Sequence, residues 1–396
     1  MSEGTLSELT WPKREIQAEW ALLAQCLTDP GSLQLQDVED QERLLELARL
    51  HGVGPLIYHR VKTTGGWARS ENHVVSGFRE TFLRAAAANL ILSVQLSRLS
   101  EAFAEAEIPV LFFKGVVLAS HVYLDPALRP MGDIDLIVRP EHGSDALRVV
   151  EALGYVPNQA EAFGSFTREA LHARAFHRPG RAGLPIEIHN VVVRGDREGP
   201  LRDETWFWDH TVSVPIHGHP VLTLIPEVSL MQLCAHLVSH HGWTPNFIWI
   251  YDLHALLVKY QESFDWDKFT ALARQLNWDI FCRYALKAAR AFLRTPFPEA
   301  VLGEISEGLK PAVVGWQTRC PPTRMLLTLA NFWRMPGLST RLRFLWHTFI
   351  PTRDYMVNRY RLRVHWIWPL LYPYRWGIML REAAKTAGVL WRVHSG

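Results

Sequence analysis

The chain has 396 residues, of which 48% are hydrophobic and 21% charged, and a formal net charge of +2. That length suits two or three domains, and the composition excludes disorder, which needs low hydrophobicity and high net charge. No uninterrupted apolar stretch reaches the ~18 residues a spanning helix needs, and the opening MSEGTLSELTWPKREIQ lacks the charged-then-apolar pattern of a secretory signal. The expectation is a cytoplasmic protein with a sizeable core. Cys26, Cys234, Cys282 and Cys320 lie far apart without a CxxC pair, as reduced, buried thiols would.

Residues 13–28 and 37–62 read as helices. Leu44, Leu47 and Ala48 fall at i, i+3 and i+4, with Leu45 and Leu50 widening the stripe. Gly52, Gly54 and Pro55 turn the second stretch into helix–turn–helix. Residues 78–107 are rich in Ala and Leu and predict a long helix. The pattern then changes. Residues 108–113 are a short run of β-formers, a buried strand ended by Lys114-Gly115, and VVLASHVYL follows as a helix. Turn material over 125–132 leads into a second strand over 133–138, and then a helix over 141–153. Residues 173–178 and 184–193 predict a hairpin, with further β segments over 212–224. Helices follow over 227–241, 249–260, 266–276 and 279–294, and then helical pieces broken by prolines up to residue 396. The expected organisation is a helical region over 1–107, an α/β (α+β) core with a small mixed sheet over 108–225, a helical region over 226–300 closing the site, and a basic, Trp-rich helical region over 301–396.

The strongest chemical signal is Gly132-Asp133-Ile134-Asp135-Leu136-Ile137-Val138. Side chains alternate along a strand, so Asp133 and Asp135 share one face. Two neighbouring carboxylates repel unless one is protonated or a cation sits between them, and oxygen ligands suit Mg²⁺ or Mn²⁺. The competing reading is a solvated strand end. Lys114-Gly115, at a strand end before a helix, offers a point charge and close backbone approach to a phosphate. Ile186-Glu187-Ile188 sets a third carboxylate on a later strand. If that strand lies beside the acid pair, three acids converge, the ligand set for two-metal phosphoryl or nucleotidyl transfer.

The run Lys114-Gly115, Tyr123, Pro126, Arg129, Gly132-Asp133-Ile134-Asp135-Leu136, followed by Glu187, His189, Pro226-Glu227, His236 and Asp252-Leu253, resembles the bacterial uncharacterised nucleotidyltransferase family of the DNA polymerase β-like superfamily. Residues 48–60, ARLHGVGPLIYHR, are also similar to that family, so the resemblance spans roughly residues 40–260. It implies a nucleotidyltransferase core flanked by N- and C-terminal helical regions. It also implies that Asp133, Asp135 and Glu187 hold Mg²⁺ or Mn²⁺ and an NTP. Lys114, Gly115, Arg129 and Gly132 would grip phosphates. Glu187 would help deprotonate an acceptor hydroxyl, and pyrophosphate would leave. His189, His236 and Asp252 would stand behind these residues. Two departures are visible: Lys-Gly replaces the superfamily's usual Gly-Ser or Gly-Gly, and the third acid is Glu rather than the commoner Asp.

Three other readings compete with this. One is an NTP-binding module without transfer. A second is a metal-dependent phosphohydrolase on His236, His240 and Asp252, since His236 and His240 are spaced i, i+4. The third is a scaffold working through the tail. Residues 321–396 carry 12 basic against 2 acidic residues and six of the 16 Trp. Interleaved Arg and aromatics over 341–396 suit a membrane surface, a single-stranded nucleic acid or a packed cap.

Overall fold

Asp40 begins the helical order: its side chain accepts from the Arg43 backbone N–H at 2.8 Å and caps the helix that follows. The computed structural model describes residues 12, 14–28, 38–64, 72–157, 173–180, 183–189, 205–240, 245–305, 332, 337–360 and 365–394. Four helices come first: α1 (Arg14–Thr28), α2 (Gln41–Leu50), α3 (Gly54–Thr64) and α4 (Asn72–Glu105). The expected break between α2 and α3 occurs at Gly52, whose φ is +71°. Gly54 lets α3 approach α4, because a Cβ there would meet the Thr81 side chain at 2.6 Å.

The sheet is built from β1 (Val110–Phe112), β2 (Ile134–Val138), β3 (Val156–Pro157), β4 (Ala173–His177), β5 (Ile186–His189), β6 (Thr211–Ile216) and β7 (His219–Leu224), in the order β3-β4-β5-β2-β1-β7-β6. It is mixed: β1 runs antiparallel to β2 and parallel to β7, while β2 runs parallel to β5. The expected hairpin forms as β4 against β5; its last positions, 190–193, lie outside the described residues. Gly218, at φ +82°, turns the β6–β7 hairpin. After β1 come α5 (Gly115–Val117), a π-type turn over Leu118–Val122, a 3-10 turn over Pro126–Leu128 and, after β2, α6 (Gly143–Ala152).

Beyond the short α7 (Thr205–Trp208) and the β6–β7 hairpin, the chain is helical: α8 (Pro226–Ala235), α9 (Phe247–Lys259), α10 (Trp266–Gln275), α11 (Asp279–Leu293) and α12 (Ala300–Glu304). The expected helix over 227–241 changes to a π-type turn at His236–His240. In the tail lie α13 (Leu338–Phe349), α14 (Arg353–Arg359) and α15 (Leu371–His394). Residues 361–364 of the basic stretch lie outside the described residues. Among the described residues, no helix is long and apolar enough to cross a membrane.

The alternation of β1 and β2 divides the core in two. Phe112, Ile134, Leu136 and Val138 pack with Leu92, Leu96, Leu99 and Phe103 of α4 and with Ala146 and Val150 of α6. Leu111, Phe113 and Ile137 belong to a second cluster with the helices. That cluster joins α1–α3 to α8–α11: Trp20 stands edge-on to both Phe247 and Phe292, at 5.5 and 5.4 Å. The first helices and those after Pro226 thus share one core. Cys26, Cys234 and Cys282 are free and buried; Cys320 lies outside the described residues.

Candidate active site

Asp135 and Glu187 sit opposite each other in the parallel β2–β5 register, and His189 lies opposite Ile137. The two-residue period therefore brings Asp133, Asp135, Glu187 and His189 to one sheet face, the face of Phe113 and Ile137. β2 is buried along its whole length, and so is Asp135, which excludes the solvated strand end.

Lys114 completes the group. Its Nζ donates to Asp135 Oδ1 at 2.9 Å and lies 4.9 Å from the centre of the Phe113 ring. Lys114 has φ +56° and ψ −132°, a region L-residues avoid at a cost of roughly 1–3 kcal/mol. The ion pair with Asp135 holds that conformation. His189 Nε2 lies 2.5 Å from Asp135 Oδ1 and 3.5 Å from Glu187 Oε2, and the ring packs edge-on to Phe113.

These contacts set the protonation. Burial pushes the Asp135 carboxyl up, but the Lys114 charge and the His189 hydrogen bond outweigh it and hold the group well below the usual carboxylate range. Burial, and then the charge of Asp135, push Asp133 up to about 6. Glu187 is raised by burial and by both aspartates. Burial and then Lys114 lower His189, against the pull of Asp135. With His189 neutral and Asp135 ionised, the 2.5 Å contact is a hydrogen bond only in the tautomer that carries the proton on Nε2. The face holds more negative charge than one ammonium offsets.

One ligand atom from each of Asp135, Glu187 and His189 lies within 4.8 Å of the others, close enough to share one cation. Asp133 stands outside this triad and His189 inside it. The sequence set His189 behind the acids, although its i+2 spacing from Glu187 on a strand carried the signal.

Arg129 has a partner the sequence did not point to: it is bound to Asp252 of α9, with Nε to Oδ1 at 3.2 Å and Nη2 to Oδ2 at 2.8 Å. Tyr123 donates to the same Oδ1 at 2.7 Å, and Asn89 of α4 donates to the Arg129 carbonyl at 3.1 Å. Asp252 is 0% exposed. Asp125 and Pro126 start the intervening 3-10 turn, Asp125 Oδ1 accepting from Ala127 N. The Tyr123, Pro126 and Arg129 of the motif are thus a latch that delivers the chain to Asp133. Gly115 lies under this loop, where a Cβ would meet Met131 Cε at 2.9 Å and Arg129 Nη1 at 3.0 Å. Gly132 is exposed, with open space where a Cβ would stand.

His236 packs edge-on to Trp249, 6.0 Å away, and is not in the metal-capable triad. The His240 side chain and His241 lie outside the described residues. Because Asp252 is fully engaged by Arg129 and Tyr123, the geometry gives a His236–His240–Asp252 metal site no support.

The family model described as Uncharacterised nucleotidyltransferase matches residues 37–294, a range that contains every site residue named above. Among solved structures, the chain is similar to an antigenic nucleotidyltransferase-like protein from Paracoccidioides brasiliensis. Identity is 17% and the TM-score 0.34, over 55% of this chain and 98% of that one, too distant a likeness to carry an argument. No curated protein matches the chain. With well over half of its length matched, the chain belongs to the family of uncharacterised nucleotidyltransferases.

Proposed function

We propose that the protein transfers a nucleoside monophosphate from an NTP to an acceptor hydroxyl, with a divalent cation, on a polymerase β-like core. The observation that carries this reading is the convergence of Asp133, Asp135 and Glu187 on one sheet face beside Lys114. The donor set fits a cation: two carboxylates and an imidazole within 4.8 Å suit Mn²⁺, and Asp133 adds the oxygen ligand that suits Mg²⁺. Asp135, Glu187 and either His189 or Asp133 would hold it, and when bound it would supply charge neutralisation for a triphosphate. The acceptor oxygen attacks the α-phosphorus, the bond to the β-phosphate oxygen breaks, and pyrophosphate leaves. Glu187, 33% exposed and with its carboxyl raised by burial and the two aspartates, is the acid that would take the hydroxyl proton. Lys114 holds Asp135 ionised and can exchange that contact for a phosphate oxygen. The cytoplasm is the compartment that fits an NTP donor.

The test is thermal denaturation with each NTP, with and without Mg²⁺ or Mn²⁺, at pH 5 and pH 7.5. A ligand at 100 Kd stabilises by about 2.7 kcal/mol. We expect a cation-dependent shift for at least one NTP. It should be larger at pH 7.5, because a cation competes with the Asp133 proton below its value of about 6. Asp133→Asn should flatten that pH dependence. Absence of any cation-dependent shift overturns the reading, and a shift without pyrophosphate release over an acceptor panel leaves a binding module.

For the tail we propose contact with an anionic membrane surface. Leu338, Leu342, Trp346 and Phe349 line one exposed face of α13, with Trp346 61% exposed. Trp366 (76% exposed), Leu370 and Tyr374 are also exposed, in the 3-10 turn over His365–Leu370 and at the start of α15. The two segments lie close, because Trp376 Nε1 donates to the Phe349 carbonyl and Arg375 to the Thr348 carbonyl. Arg343, Arg353, Arg359 and Arg381 of the same region are exposed. Each cation near an anionic surface contributes about 1 kcal/mol. The full chain should float with phosphatidylserine-containing vesicles and not with neutral ones, and Trp346→Ala/Trp366→Ala should release it. Retention on single-stranded RNA with no vesicle binding would reverse this assignment.

A further inference from the structure

Lys114 and the cation call on the same carboxylate. Lys114 Nζ donates to Asp135 Oδ1 at 2.9 Å, and His189 Nε2 lies 2.5 Å from that same oxygen. The ion pair is sheltered, with the side chains of Lys114 and Asp135 13% and 6% exposed, so water and salt screen it little. The Phe113 ring, its centre 4.9 Å from Nζ, adds a favourable face for the ammonium there. Asp135 is also the acid that stands opposite Glu187 in the sheet, and it belongs with Glu187 and His189 to the group able to share one cation. A divalent ion on Asp135 therefore meets an ammonium already held by that carboxylate. Like charges so placed oppose each other's binding.

We infer that Lys114 occupies the cation's place in the free protein and admits the cation only together with the triphosphate. The inference rests on the nucleotidyl-transfer reading above and concerns the order in which that site fills. Without nucleotide, a lone divalent ion competes with the Lys114 ammonium for Asp135. A triphosphate offers the ammonium several anionic oxygens, and the flexible four-carbon stem lets Nζ move to one of them. The Asp135 oxygen it leaves is then open to the cation. Each ligand makes room for the other, and such a coupling is reciprocal by necessity. This gives Lys114 a signature of its own. A lysine that only bound phosphate would leave the affinity for a lone cation unchanged when removed. A lysine that only kept Asp135 in place would lower it. A lysine that blocks the cation raises it, without raising the affinity for the cation–triphosphate complex.

The test measures, by electron paramagnetic resonance, the Kd of Mn²⁺ alone and of the Mn²⁺–tripolyphosphate complex. It uses the full chain as wild type, Lys114→Met and Lys114→Arg at pH 8, above the Asp133 value of about 6. Lys114→Met should bind Mn²⁺ alone roughly tenfold or more tightly than wild type, the effect of one neighbouring charge on an ionic equilibrium. Its affinity for the complex should not rise with it. Lys114→Arg, which keeps the charge, should bind Mn²⁺ alone as weakly as wild type. If Lys114→Met misfolds, Lys114→Gly serves, since glycine suits the φ of +56°. Mn²⁺ affinity in the folded variant equal to or below that of wild type overturns the inference. So does an equal tightening of Mn²⁺ and of the complex, because the triphosphate then does not move the ammonium. Both results leave the nucleotidyl-transfer reading standing, provided the complex binds. A wild type that binds neither Mn²⁺–tripolyphosphate nor any Mn²⁺–NTP overturns that reading, and this inference with it.

Discussion

Asp135→Asn should reduce pyrophosphate release by roughly 10³-fold or more while the protein still folds. Loss of one preorganised electrostatic partner at a reacting phosphate costs a factor of that order. Asn keeps the shape of the side chain on β2 but removes the charge. The Lys114 ammonium then loses the negative charge 2.9 Å away, and His189, 2.5 Å from Oδ1, is left with a neutral amide acceptor in place of a charged one. The Asp135 carboxylate is the one acid on this face that its partners hold ionised, so it cannot be replaced by its neighbours. Pyrophosphate release and a parallel melt separate chemistry from folding. Activity within tenfold of wild type would move the reaction away from this face and revive a site elsewhere.

Asp252→Ala should destabilise the fold by about 3–5 kcal/mol, the range for removing one partner of a buried ion pair. Three donor groups converge on that carboxylate: Arg129 Nε, Arg129 Nη2 and the Tyr123 hydroxyl. Alanine leaves the Arg129 guanidinium, 12% exposed, without its counter-ion. Total stabilities of 5–15 kcal/mol make that a large fraction. Asp252→Asn, which keeps one acceptor, should lose less, and Arg129→Met/Asp252→Leu should recover most of the loss by replacing the pair with apolar volume. Denaturant midpoints would decide. A loss under 1 kcal/mol for Asp252→Ala would mean the latch does not hold the loop before Asp133.

Much of this site was legible in the chain because its signals are local. Asp133 and Asp135 share a face by strand period alone, and Glu187 between two isoleucines marks a second strand. The register that sets Glu187 against Asp135 confirms the adjacency those runs suggested. Arg129 resisted reading, because its partner Asp252 lies 123 positions further on and no periodicity encodes a pairing of that range. The helix ends at Leu118–Val122 and His236–His240 also went unseen, since a π-type turn carries no composition of its own.

The edge-on packing of Trp20 against Phe292 has a consequence for how the chain is made. These rings close a contact over most of the sequence, so α1 cannot finish burying its apolar face until α11 has left the ribosome. At 5–20 residues per second, that leaves Trp20 and its neighbours waiting roughly 15–50 s. Contacts of such span are slow to form, because loop-closure entropy opposes them before packing favours them. During synthesis the first helices therefore present sticky surface, and a truncation before residue 292 leaves Trp20 without the Phe292 side of its packing.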